Sequence, residues 1–158
     1  MAQEFPIVKS LEVKRPELHQ ALQPQLGSRR IILTGAPGSG KSWALTDLAD
    51  TLESEGHLVA RHYCYLEPGD QQVQRRITTD VLFANLIYEL IHARPELQEI
   101  HRPIYSAGPR ELEELLKRGV EQGIIGEATL IIDGLDHISR VFAESSNLSL
   151  EELMSGHI

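Results

Sequence analysis

Eight consecutive residues, Gly35-Ala36-Pro37-Gly38-Ser39-Gly40-Lys41-Ser42, satisfy the spacing Gly-x4-Gly-Lys-Ser/Thr in full. The composition suits wrapping a polyphosphate. Backbone N–H groups must converge on the anion, so the loop needs glycines that accept unusual dihedrals and put no side chain in the way. A helix beginning near Lys41 would aim its first amides and the positive end of its dipole at the phosphates. Lys41 is then expected to reach the β- and γ-phosphates and the Ser42 hydroxyl to ligate a magnesium ion. Trp43, the next residue of that helix, closes the nucleotide-binding segment, which therefore runs Gly35, Ala36, Pro37, Gly38, Ser39, Gly40, Lys41, Ser42, Trp43.

A second acidic group lies far along the chain. Thr129-Leu130-Ile131-Ile132 is an apolar, β-branched run that closes on Asp133-Gly134-Leu135-Asp136. An aspartate at the C-terminal edge of a strand faces the crevice where open α/β sheets bind ligands. Asp133 is the expected second magnesium ligand, and Gly134 lets the chain turn close to the ligand. Asp136 is expected to orient or polarise an attacking water, with Lys41 as the other catalytic side chain. His137 follows it and reads more readily as structural.

The elements that must carry these residues are legible in the periodicity. Pro16–Leu26 has the makings of a short helix, with proline near its first turn. Arg30-Ile31-Ile32-Leu33-Thr34 reads as a buried parallel strand feeding the glycine-rich loop. Ser42–Glu55 places Leu45, Leu48, Ala49 and Leu52 at helical spacing, and Gly56 sits where a C-cap belongs. Leu58–Tyr65 is a second strand. Thr79–Ala93 predicts a helix with Val81, Leu82, Leu86, Ile87, Leu90 and Ile91 on its apolar face and Asp80 complementing its dipole. Arg110–Gln122 predicts another, carrying Leu112, Leu115, Leu116 and Val120. Thr129–Ile132 is the third strand, and Ser149 with Glu152 could cap one more helix. Strands alternating with helices predict α/β architecture, a mostly parallel sheet with helices on both faces.

Composition narrows the classes. The chain has 158 residues, 41% apolar and 24% charged, enough for one domain with a core. A formal net charge of -8 argues against general nucleic-acid binding, and no basic run exceeds the pairs Arg29-Arg30 and Arg75-Arg76. Cys64 is the only cysteine, so no internal disulfide forms and a reducing compartment fits; it reads as a half-buried thiol at a strand end. There is no signal-peptide pattern and no stretch of roughly 18 apolar residues, so no membrane partner and a cytoplasmic location are expected.

The loop Gly35–Ser42 together with Leu130-Ile131-Ile132-Asp133-Gly134-Leu135-Asp136 resembles the STAND NTPases, the NACHT-like group above all. Arg15-Pro16-Glu17-Leu18 is similar to the Arg-x-Glu-Leu lead-in of that group, and the stretch from His62 to Ile77 looks like its bacterial members. The resemblance implies a P-loop NTPase fold, ATP and Mg2+ as ligands, and slow hydrolysis. It further implies a signal-transduction switch, often in defence against phage, whose nucleotide state governs homo-oligomerisation and an effector domain in a longer chain. His137 stands where many members carry a second acid.

The group's sheet order is 5-1-4-3-2, with two strands following the second acidic motif, whereas this sequence ends at Ile158. The expectation is therefore a lead-in over residues 1–28 and an incomplete P-loop domain over 29–158, lacking the last strands. A sheet with the Asp133 strand directly beside the phosphate-loop strand is the alternative arrangement. The loop-carrying strand at 30–34 would otherwise lack its usual neighbour and leave backbone groups unpaired. Two functional alternatives stand beside the switch: a small-molecule phosphotransferase, and a scaffold that binds nucleotide without hydrolysing it. No Asn-Lys-x-Asp stretch of guanine readers is present, which favours adenine.

Overall fold

The structure, a computed structural model, describes residues 16–25, 30–64 and 76–135. Asp136, His137, Arg75, the turn at Pro68-Gly69-Asp70 and the helix expected near Ser149 lie outside the described residues. In chain order the elements are α1 (Pro16–Leu22), a 3-10 turn (Gln23–Gln25), α2 (Lys41–Ser54), β1 (Leu58–Tyr63), α3 (Thr79–Ala93), a second 3-10 turn (Pro95–Glu99), α4 (Pro109–Glu121) and β2 (Ala128–Asp133).

β1 and β2 pair in parallel, Leu58 opposite Ala128 through Tyr63 opposite Asp133, and Cys64 N–H extends the ladder to the Asp133 carbonyl at 2.9 Å. Parallel pairing demands a long crossover, and α3 and α4 lie within it. Side chains alternate across the pleat, so β1 sends Val59, Arg61 and Tyr63 to one face and Leu58, Ala60, His62 and Cys64 to the other. The first face meets α2, where Val59 and Ile131 pack with Leu48, Ala49, Leu52 and Leu22 of α1. The second meets α3 and α4 in a larger core built from Leu58, Ala60, Cys64, Leu82, Leu86, Ile87, Leu90, Leu112 and Leu115. The chain is thus α/β with a parallel sheet covered on both faces, as the alternation of elements predicts.

α3 is sandwiched between the sheet and α4. Burial accordingly spreads beyond the expected face to Phe83, Ala84 and Asn85. The side-chain amide of Asn85 donates to the Arg61 carbonyl at 2.8 Å, satisfying a backbone group that β1 does not share with β2. In α4 the expected apolar position Val120 is 52% exposed, and its neighbour Gly119 is buried instead. A Cβ at Gly119 would stand 3.0 Å from Ile125 and Leu97, so the close approach of the chain selects glycine and turns Val120 outward. α4 opens with Pro109 at its first position, and the Glu111 carboxylate accepts from Gly108 N–H at 2.9 Å. That bond, with Glu111's own backbone N–H, holds the Glu111 carboxyl below its ordinary range. Asp80, in the first turn of α3, is likewise held low, chiefly by the Thr78 hydroxyl.

One expected strand does not form. Residues 30–34 join no ladder among the described residues, and Ile31 and Ile32 are 41% and 67% exposed. β-branched residues favour a strand only where a neighbour completes its hydrogen bonds and covers its side chains. Among the described residues the sheet holds β1 and β2 alone, so the arrangement with β2 directly beside 30–34 is not adopted either. Cys64 is fully buried rather than half-buried. Among the described residues no helix is long and apolar enough to cross a membrane.

His62 ties the end of β1 to the start of the α3 segment. Its Nε2 lies 2.8 Å from the Arg76 carbonyl, which can only accept, so Nε2 carries the proton and Nδ1 is a bare acceptor without a partner among the described residues. Burial pushes the imidazole down from 6.5 to about 4. The unfolded chain therefore takes up the proton first as pH falls, and stability drops between about 6.5 and 4, by up to about 3 kcal/mol from this group. His62→Gln keeps an N–H for Arg76 but cannot titrate. Urea unfolding at pH 7 and pH 4 should show a smaller acid loss for the variant; equal losses would exclude His62 as the cause.

Candidate functional site

The glycine-rich segment makes a tight turn directly into α2. Ser39 N–H donates to the Ala36 carbonyl at 3.1 Å, and Gly38 and Gly40 take φ of 75° and 84°, in the left-handed region that side chains disfavour. Gly40 is the residue before α2. The first turn of that helix has no side-chain cap and no acidic residue, so the helix itself supplies no anion to offset its dipole there. Lys41 folds back over the turn, its Nζ donating to the carbonyls of Gly35 at 2.9 Å and Ala36 at 3.2 Å. The segment from Gly35 to Gly38 is exposed, while Ser39 through Trp43 are half-buried.

The placement of α2 follows from its contacts. Near the start of the helix the Thr46 hydroxyl lies 3.0 Å from the Tyr63 hydroxyl, at the C-terminal end of β1. Further along, Asp50 and Glu53 receive Arg61 at 2.7 and 2.6 Å, and Leu52 packs with Val59 near the start of the strand. α2 therefore runs antiparallel to β1, and its N-terminus and the glycine-rich turn lie at the C-terminal edge of the sheet. Asp133 ends β2 at that same edge. Its register partner is Tyr63, and Ile131, two residues earlier, packs with α2, so the Asp133 side chain faces the α2 side. Asp133 is 6% exposed, and Gly134, with φ of 80°, turns the chain directly after it.

The folding of the two motifs thus brings Lys41, Ser42 and Asp133 to one end and one face of the sheet. Asp136, the expected water-orienting acid, lies outside the described residues. Sequence reasoning passes over Thr46, Tyr63 and Arg61. Burial would lower the Arg61 guanidinium, but Glu53 and the Tyr63 hydroxyl outweigh it and raise its pKa, so it stays charged. The available signal is the period-two alternation from Val59 through Arg61 to Tyr63, which puts two polar residues on the α2 face.

An α/β unit with a glycine-rich loop at the C-terminal edge of a parallel sheet, opposite a strand-end aspartate, is the class that these features define. The chain matches the family described as Nephrocystin 3, N-terminal, over residues 12–156, and it belongs to that family. No curated protein and no solved structure matches it.

The loop conformation itself has a measurable cost if altered. A Cβ at Gly38 would meet nothing within 4 Å, so Gly38→Ala adds only the backbone penalty of a left-handed alanine, about 1–2 kcal/mol. Chemical denaturation should show that loss. A variant as stable as the wild type would mean that Gly38 does not hold φ near 75°.

Proposed function

We propose that the chain is an ATP-binding, Mg2+-dependent module of the STAND type, hydrolysing slowly and serving as a signal-transduction switch. The observation that carries this reading is the uncapped N-terminus of α2, preceded by its glycine turn, at the sheet edge where Asp133 ends β2. The residues fit the ligand. Backbone amides from Gly38 to Ser42 would grip the phosphates, with Lys41 leaving the Gly35 and Ala36 carbonyls to reach them. Magnesium, when bound, neutralises charge on the phosphate oxygens. Ser42 and Asp133 would be its protein ligands, in keeping with a cation that takes one or two side chains, phosphate oxygens and water. Asp136 would orient the attacking water.

One observation supports the switch over a small-molecule phosphotransferase: the nephrocystin 3 family is one of NACHT-containing proteins. Nucleotide-governed homo-oligomerisation, an effector domain in a longer chain, a part in defence against phage and a cytoplasmic setting belong to this reading as its consequences.

Two outcomes test it. Mg-ATP at about 100 times its Kd should raise the wild-type melting temperature by roughly 5–10 °C, and Lys41→Ala should lose the shift. An unchanged shift in that variant would rule out the loop as the binding site. Asp136→Asn should keep the shift and lose most phosphate release; undiminished turnover would take Asp136 out of the mechanism.

A further inference from the structure

A buried chain of hydroxyls joins the two halves of the site. Thr46 Oγ1 donates to the Ser42 carbonyl at 2.8 Å, one helical turn back along α2. A hydroxyl has one proton, so at the 3.0 Å contact between Thr46 Oγ1 and Tyr63 Oη the proton comes from tyrosine. Arg61, two residues before Tyr63 on the same face of β1, is clamped by Asp50 and Glu53 of α2. The direction of donation runs from Tyr63 to Thr46 to the backbone of Ser42. Tyr63 is 1% exposed and Thr46 2%, so water does not readily replace either partner. Tyr63 is also the register partner of Asp133. One phenol thus touches the helix that carries Ser42 and stands beside the strand position that carries Asp133.

We propose that Tyr63, acting through Thr46, is a positioning residue that sets the Ser42 end of α2 against Asp133, and so tunes the affinity of the site for its divalent cation. The proposal rests on the reading of the site as a Mg-nucleotide site, but concerns the metal half alone. Two ligands on separate elements form a cation site only if their spacing is held to a few tenths of an ångström. The apolar contacts of α2 with Val59 and Ile131, made by Leu45, Leu48, Ala49 and Leu52, hold the helix on the sheet but give little direction to its first turns. Near the site, the Thr46–Tyr63 bond adds a directional polar tie between helix and strand. Tyr63→Phe keeps the ring in the core and removes the hydroxyl that makes this tie; Thr46→Val removes it from the helix side and leaves the tyrosine in place; Thr46→Ser keeps it.

The test is a magnesium titration at fixed ATP, read as thermal stabilisation, beside ATP stabilisation in EDTA. Loss of one buried hydrogen bond should raise the half-saturating Mg2+ about five-fold in Tyr63→Phe and in Thr46→Val. Thr46→Ser should stay near the wild type, and stabilisation by metal-free ATP should be the same in all four proteins. A general loss of structure would weaken ATP with and without metal alike, which would overturn the proposal, as would a Mg2+ requirement within two-fold of the wild type in both disrupting variants. Thr46→Val keeps the test open should Tyr63→Phe fail to fold. A wild type unresponsive to ATP in any metal condition would instead defeat the site reading itself, and the positioning role with it.

Discussion

The parallel register of β1 with β2 is the constraint on which the arrangement depends. Parallel strands end at the same edge, so pairing Tyr63 with Asp133 fixes where the second acidic motif stands relative to everything attached to β1. α2 is attached to β1 in three places along its length, by Thr46, by Asp50 with Glu53, and by Leu52. Those contacts orient the helix antiparallel to the strand and carry its N-terminus to the shared edge. A one-residue slip in the ladder would move Asp133 to the α3 face and separate it from the loop. The core on the α3 face guards against that slip, because Leu130 and Ile132 would have to leave an apolar layer built by α3 and α4.

The ion pairs of Arg61 illustrate which part of this attachment is strong. Asp50 and Glu53 are 56% and 42% exposed, so solvent screens them, and their worth is on the order of 1 kcal/mol or less each. The apolar seam of Leu48, Ala49, Leu52, Val59 and Ile131 does most of the holding. What the charged and hydroxyl groups add is direction. An apolar seam tolerates sliding and tilting, whereas the Tyr63–Thr46–Ser42 hydrogen bonds accept a narrower range of geometries. The distinction matters for the proposed site, because the loop, the helix N-terminus and Asp133 would have to be held in a fixed geometry to share one ligand.

Much of this is legible in the residue order. The glycines of Gly35–Ser42 predict positive dihedrals, and Gly38 and Gly40 adopt them; Gly56 ends α2 with φ of 88°, as a C-cap glycine should. The helices at 79–93 and 109–121 and the strand closing on Asp133 follow from periodicity, because each buries a face whose spacing is local. What is not legible depends on neighbours distant in sequence. Residues 30–34 have the composition of a strand, but composition does not supply a ladder partner. Gly119 takes the buried place expected of Val120 because Ile125 and Leu97 approach from elsewhere in the chain. Asn85 is a polar interruption of an apolar helix until the unshared Arg61 carbonyl gives it a partner. Within the site, the loop and Asp133 can be read directly, whereas the Thr46–Tyr63 contact requires knowing how a helix lies across a strand.

In the proposed site, Lys41 bonds to the same loop that would face the phosphates. An ammonium group loses hydration when it is drawn toward a loop, and the carbonyls of Gly35 and Ala36 replace part of that water. They are neutral acceptors, so the exchange is nearly balanced, and an anion at the same loop offers the lysine a stronger, charge-assisted partner. Lys41 also fastens Gly35 and Ala36 against the start of α2 and so restricts the turn that presents the amides. Binding of the proposed nucleotide would then exchange one set of lysine bonds for another over a turn already folded. Less ordering entropy would be lost on binding, which would leave more of the phosphate interaction as affinity.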